Sequence, residues 1–133
     1  MSEVDVKDAF LDSIRAEPTL TQIVWEGTVL QRPTRYVSVF SDSGERESES
    51  FTGPQQTVTR SFLVHSVGAT AAKAQEVSAL VIEQVVDKVF DVDGRVCRPV
   101  QHEASHYTRL DQDIDPPLFY NVDEFSVISK PSG

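Results

Sequence analysis

Residues 60–90, RSFLVHSVGATAAKAQEVSALVIEQVVDKVF, contain the clearest strand and helix patterns of the chain. Its first part is rich in β-branched and aromatic residues, and alternation places Phe62 and Val64 on one face of a strand that ends at Gly68. Thr70 can then cap a long helix. The broad apolar face of that helix consists of Val77, Leu80, Val81, Ile82, Val85, Val86, Val89 and Phe90. A strand running into such a helix predicts an α+β fold, with the helix lying across the sheet as the main core element.

A shorter amphipathic helix is predicted before this unit, over residues 4–16. Apolar residues recur there at four-residue spacing, Ser2 and Asp5 can form a capping box, and Pro18 stops the helix. Trp25 follows in a short apolar stretch that Gly27 interrupts. We expect Trp25 to fill the space between helix and sheet as a large aromatic core residue.

A second strand is predicted over residues 35–40, and it should pair antiparallel with residues 58–67. Residues 41–56, which join the two strands, form a long polar hairpin loop, far longer than the usual two to five residues. Two interpretations stay open: a tolerated disordered insertion, or an arm that orders against a neighbouring subunit, anchored by Phe51. The charged candidates for contact in this arm are Asp42, Glu45, Arg46, Glu47 and Glu49.

The remainder of the chain reads as further strands. Asp93-Gly94 predicts a tight turn into residues 95–107, a strand that Pro99 would disturb at an edge or a bulge. In residues 118–128, alternation puts Leu118, Tyr120 and Val122 on one face, and Phe125 and Val127 on the other. A bulge near Asp123-Glu124 would bring the two sets together. The fold class is therefore α+β: a mostly antiparallel sheet packed by one long helix and a short N-terminal helix.

Composition limits the functions that are open to the chain. Its 133 residues are the size of one domain, and the single cysteine, Cys97, permits no intramolecular disulfide. The 21 acidic residues outnumber the 12 lysines and arginines and give a net charge of −9, so we expect no sequence-specific DNA binding, which requires several cationic contacts to phosphates. The acidity serves either solubility alone or a functional surface. Residues 1–6 show no basic region followed by an apolar run, and no stretch approaches eighteen uncharged apolar residues, so we expect neither secretion by a standard signal nor a membrane span.

Candidate chemical sites are weak. Asp111, Asp113 and Asp115 have the spacing that opens a calcium loop, but Pro116 and Val122 replace the required glycine and glutamate. Cys97, His102 and His106 have the residue types of a zinc site, yet on a strand they are too far apart, or on opposite faces, to share an ion. His65 is interpreted as a hydrogen-bonded sheet residue, because no nucleophile accompanies it. The sequence therefore predicts no catalytic residue, cofactor or metal, although a small metal-dependent enzyme using these histidines stays a distant alternative.

The order of these segments resembles that of the tail terminator (tail completion) proteins of long-tailed, siphovirus-type bacteriophages. The resemblance covers nearly the whole chain. It predicts that residues 1–133 form a single tail-terminator-like domain. It rests on an N-terminal helix, then PTRYVSVF at residues 33–40, then RSFLVHSVG at residues 60–68 running into a long helix, and then DxDPPLFYxV at residues 113–122.

The resemblance implies a structural virion protein at the tail–neck junction, assembled in the cytoplasm of a host bacterium. Such a subunit forms a homohexameric ring that caps the tail tube, ends its polymerisation and offers a head–tail joining surface. The implied partners are its own copies, the tail tube protein and a head–tail connector or neck protein, and DNA passes through the channel without specific binding. Another neck component, such as a head-completion adaptor, stays the nearest alternative. Two segments, residues 41–56 and residues 111–124 with Asp111, Asp113 and Asp115, carry much of the excess acidity. Contacts between copies would pair these acidic segments with Arg35, Arg60, Arg95 or Arg98.

Overall fold

A computed structural model describes the chain at residues 6–27, 33–42, 45–47, 57–92, 94–113 and 117–131. Two helices are present in these ranges, α1 (Val6–Arg15) and α2 (Ala71–Val85). The strands are β1 (Val24–Glu26), β2 (Tyr36–Ser41), β3 (Glu45–Glu47), β4 (Thr57–Gly68), β5 (Asp91–Val92), β6 (Arg95–Cys97), β7 (Gln101–Ser105), β8 (Arg109–Asp111) and β9 (Leu118–Pro131). The α+β class predicted from the sequence is confirmed.

The described strands form one mixed sheet built around β4 and β9. These two strands pair antiparallel in unbroken register from Val58↔Ser129 to Gly68↔Phe119. On the other edge of β4 lie β2 and β3, both antiparallel, and β1 adds to β2 as a parallel strand. The other edge of β9 is shared by β8, β7 and β6, with β5 outermost beside β6. The predicted antiparallel pairing of β2 with β4 is confirmed.

Both helices pack on one face of this sheet, called here the helix face. Alternate residues of β2, β4 and β9 point toward it, so Val39, Phe62 and Phe125 enter one apolar core together with residues of both helices. Phe10 of α1 is fully buried there, and its ring stacks on Phe62 with centroids 4.1 Å apart. The sheet surface opposite the helices is called the far face.

The second helix is shorter than the apolar pattern predicted. It ends at Val85, where the backbone of Val86 turns extended (ψ 135°) and Asp87 adopts a left-handed φ of 63°. The chain then runs back along the sheet, as Asp87 N–H donates to the carbonyl of Val100. Val89 consequently leaves the predicted helical apolar face and is 63% exposed, whereas Phe90 still reaches the core.

The predicted bulge is found on a different strand. β9 needs no irregularity, because its two sets of apolar residues serve opposite faces of the sheet. The register shift occurs on β7, between His102 and Ala104, leaving Glu103 as the extra residue. The single strand predicted over residues 95–107 is divided into β6 and β7, with Pro99 in the break between them.

The helix and loop predictions near the N-terminal half have mixed outcomes. α1 is confirmed, ending three residues before Pro18, while Ser2 and Asp5 of the predicted capping box lie outside the described residues. Part of the predicted polar loop is a strand, because β3 pairs with β4 through Glu45↔Thr59 and Glu47↔Thr57. Neither described helix has the length and apolar character needed to cross a lipid bilayer.

Candidate interaction surfaces

The far face of the sheet carries a row of aromatic residues. It includes Tyr36, Phe40, His65 and Tyr120, which alternation places opposite the helix-face core. Trp25 belongs to this face as well, packing edge-on against Tyr36 with ring centroids 6.2 Å apart. The prediction that Trp25 fills the space between helix and sheet is therefore wrong, because its neighbour Val24 is the β1 residue that enters the core.

An aromatic pocket lies at one end of the far face. It has a volume of about 140 Å³ and is lined by Tyr36, His65, Val67, Asp111, Leu118 and Tyr120. The His65 ring stacks on Tyr120 at 5.8 Å and lies 5.1 Å from Phe40 on its other side. Burial lowers the pKa of His65 below its ordinary value, which favours the neutral imidazole near pH 7. The pocket thus combines aromatic walls with one carboxylate, that of Asp111.

His65 differs from its sequence-based interpretation. Its position within an apolar strand is confirmed, but ring stacking takes the place of the predicted hydrogen bond. No side-chain hydrogen bond joins it to another residue in the described ranges.

An acidic groove continues the far face beyond Phe40. It has a volume of about 310 Å³, and its lining combines apolar residues such as Phe40 and Leu63 with the acidic residues Asp42, Glu103 and Glu124. Glu103, the bulge residue of β7, accepts a hydrogen bond of 2.7 Å from the Ser126 hydroxyl. Glu124 lies 2.7 Å from the His106 imidazole.

The acidic candidates from the sequence occupy different places in this arrangement. Asp42 is held at the end of β2 by the backbone N–H of Ser61, at 3.1 Å. Asp111 lines the aromatic pocket, and its Oδ1 accepts the N–H of Asp113 at 3.1 Å. Asp115, Glu49 and Phe51 lie outside the described residues, as do the side chains of Glu45, Arg46 and Glu47 on β3.

Three of the four candidate arginines make contacts within the subunit. Arg35 lies 3.5 Å from Glu76 of α2, and Arg60 lies 3.7 Å from Asp42. Arg95 donates to the Ser129 carbonyl at 2.9 Å and also to its hydroxyl.

Arg98 is different, because its side chain has no partner among the residues that the structure describes. It lies beside a small cavity with Val96 and Lys130, and this group of three residues is called here the cationic end.

A buried polar cluster on the helix face was not predicted from the sequence. Asp123 is 1% exposed and accepts hydrogen bonds from the hydroxyls of Ser78 on α2 and Ser105 on β7. His102 Nε2 lies 3.1 Å from Asp123 Oδ1 and 3.0 Å from Ser105 Oγ. A Ser-His-Asp triad uses the two imidazole nitrogens separately, one toward each partner. Here one nitrogen faces both partners, so the cluster joins α2, β7 and β9 and lacks the geometry of a proton relay.

The cysteine and histidines considered for zinc are separated by the fold. Cys97 is buried in the core, where burial raises the pKa of its thiol, while His102 and His106 contact Asp123 and Glu124 respectively. Within the described ranges, no three His, Cys, Asp or Glu side chains are grouped closely enough to hold a metal ion.

Comparison with known proteins gives a structural relative and no sequence relative. No protein-family profile and no curated protein sequence matches this chain. Among solved structures, the chain is similar to one from the virion of a native gene transfer agent particle, with a TM-score of 0.71 and 16% identity. The match covers 94% of each chain. At this identity the likeness establishes a shared fold.

Proposed function

We propose that this chain is a structural virion protein of a tailed phage or phage-like particle. In this role it acts as a tail terminator, a ring of identical copies that caps the tail tube, ends its polymerisation and provides the surface for head–tail joining. The observation that carries the proposal is the likeness to a chain of the gene transfer agent virion over 94% of both chains. The order of sequence segments, which resembles that of tail terminators, independently favours the same role.

The surfaces of the subunit suit this role. A ring requires two different patches on each subunit, so that each copy contacts its neighbours head to tail. The far face offers an acidic, aromatic region, while Val96, Arg98 and Lys130 form a separate cationic end. No helix among the described residues packs on the far face, whose Phe40 remains 37% exposed. Such surfaces are typical of a subunit that buries them on assembly.

The proposal also covers what the ring does with DNA. With a net charge of −9 per chain, a ring of six copies would repel the phosphates of DNA in its channel unless cations were concentrated there. We therefore expect DNA to pass through without specific binding, and we expect the protein to transform no substrate.

The test is to purify the protein, measure its native mass, and image it by electron microscopy alone and mixed with tail tubes. The expected result is a ring at one end of each tube, together with a halt to further tube growth. Binding to purified connectors instead of tubes would assign the protein to the neck as an adaptor. A monomer that binds neither tubes nor connectors would contradict the proposal.

A further inference from the structure

The four arginines proposed from the sequence as contacts between copies are no longer equivalent. Arg35, Arg60 and Arg95 are engaged by Glu76, Asp42 and Ser129 of their own subunit. Arg98 is an exposed residue whose side chain has no partner among the described residues. In a chain of net charge −9, this unpaired cation lies next to an exposed apolar residue, Val96 at 48%, so both are available to contact an acidic, apolar partner.

The aromatic pocket is a chemical complement to this cationic end. A guanidinium is attracted to the faces of aromatic rings and to a carboxylate, and its alkyl stem packs on apolar surface. The pocket offers the rings of Tyr36, His65 and Tyr120 together with Asp111, in a volume of about 140 Å³. Since burial lowers the pKa of His65 and favours its neutral imidazole near pH 7, the ring adds little positive charge to repel the incoming cation.

The two patches lie at opposite ends of the same long strands. Val67 and Tyr120 line the pocket, whereas Thr57 and Lys130 line the cavity at the cationic end. The ten residue steps from Thr57 to Val67 along β4 correspond to about 33 Å, at roughly 3.3 Å per residue. Patches this far apart cannot meet within one subunit, but they can meet between successive copies in a head-to-tail assembly.

We infer that the cationic end of one copy docks against the aromatic pocket of the next copy, with Arg98 entering between the pocket rings toward Asp111. This inference rests on the proposed ring and names the contact that closes it. Val96 covers the apolar rim of the pocket, and Lys130 faces the carboxylates of the acidic groove.

The test uses charge reversal at each partner. Arg98→Glu and Asp111→Arg, made separately, are each expected to raise the protein concentration needed for half-maximal ring formation by about tenfold or more. Because each copy carries both patches, the double variant Arg98→Glu with Asp111→Arg should recover most of the assembly. Lys88→Glu is the matched control for Arg98→Glu, since both replace a cation by a carboxylate and Lys88 is an exposed residue outside both cavities.

Folding is checked for each variant by thermal melting, and Asp111→Asn replaces Asp111→Arg if the turn to Asp113 is disturbed. If both charge-reversal variants form rings at the same protein concentration as the wild type, the inference is overturned and the proposed function still stands. Rings that form normally but fail to join connectors would assign the pocket to a neck protein, which also overturns it. A wild-type chain that makes no ring and caps no tube would instead refute the proposed function.

Discussion

Asp123 of β9 is a buried carboxylate that connects β9 to α2 and to β7. A buried carboxylate is unfavourable unless donors surround it, and here two serine hydroxyls and His102 do so. The alternation that places Phe125 and Val127 toward the helices also places Asp123 there, so the sequence contained this signal. Its partners could not be predicted, because Ser78 and Ser105 are distant in sequence and reach Asp123 only through the packing of α2 on β9 and the pairing of β7 with β9.

His65 provides a test at the residue scale. Burial lowers the pKa of His65 in the folded chain from the ordinary value of 6.5. As the pH falls below about 6.5, His65 is therefore protonated in the unfolded chain before it is protonated in the folded chain. The free energy of unfolding should therefore fall as pH decreases through 6.5, and the decline should end below the folded pKa.

In the variant His65→Gln this part of the pH dependence should disappear. Chemical unfolding measured between about pH 5 and pH 8 gives the comparison, because that window spans histidine titration. The control is His106→Gln, which removes a histidine paired on the surface with Glu124. An unchanged slope in His65→Gln would show that the His65 imidazole does not titrate as its burial requires.

At the scale of elements, the junction between β4 and α2 is the tightest point of the fold. A Cβ added to Gly68 would lie 2.5 Å from the backbone nitrogen of Ala74 and 2.7 Å from the backbone carbon of Lys73. Both are backbone atoms in the first turns of α2, so the helix itself would have to move.

Gly68→Ala should consequently destabilise the protein by about 1–3 kcal/mol, the range found when extra methyl groups are forced into packed sites. Denaturant unfolding monitored by circular dichroism measures this change. Ser61→Ala on the exposed part of β4 serves as the control and should have a much smaller effect. Equal stability of Gly68→Ala and wild type would mean that the junction relaxes at no cost.

Elements whose pattern is local were predicted well from the sequence, and elements fixed by distant contacts were not. The strand–helix unit of β4 and α2 follows from alternation, Gly68 and the Thr70 cap, whose side chain accepts the Lys73 N–H at 3.1 Å. The end of α2 was missed because Val86, Val89 and Phe90 continue the apolar spacing. The backbone reversal at Asp87 instead depends on its bond to Val100.

The sequence predicted which charged residues could belong to interaction surfaces, but not where these surfaces lie on the subunit. The sequence identified the charged residues that are candidates for contacts, but it could not distinguish Arg98 from Arg35, Arg60 and Arg95, since that distinction depends on which side chains already have partners. Similarly, the parallel pairing of β1 with β2 determines on which face of the sheet Trp25 lies. A strand of three residues is too short for its alternation to show which face is buried.

For the whole molecule, the segment of residues 48–56 offers a direct test of assembly. It connects Glu47 to Thr57, which already pair as neighbours on β3 and β4, so a short Asn-Gly turn can close the same hairpin. We expect its replacement to leave the melting temperature nearly unchanged. In infection or reconstitution assays, however, tails should reach uncontrolled length or fail to join heads.

Electron microscopy of tail lengths and head attachment provides the measurement for this replacement. Phe51→Ser within the full-length segment tests whether that side chain is the anchor, and it should reproduce part of the defect. Normal tails from the shortened variant would show that residues 48–56 are a tolerated insertion, the other interpretation that their composition allows.

The position of β9 has a consequence for biosynthesis. This strand comes later in the chain than all its pairing partners, yet it is the one to which β4, β6, β7 and β8 all bind. A ribosome must therefore finish residues 118–131 before the sheet can close, because most of its hydrogen bonds join residues far apart in the chain. Translation products that end before residue 118 would lack the strand that joins β4 to β6, β7 and β8, and we expect them not to fold.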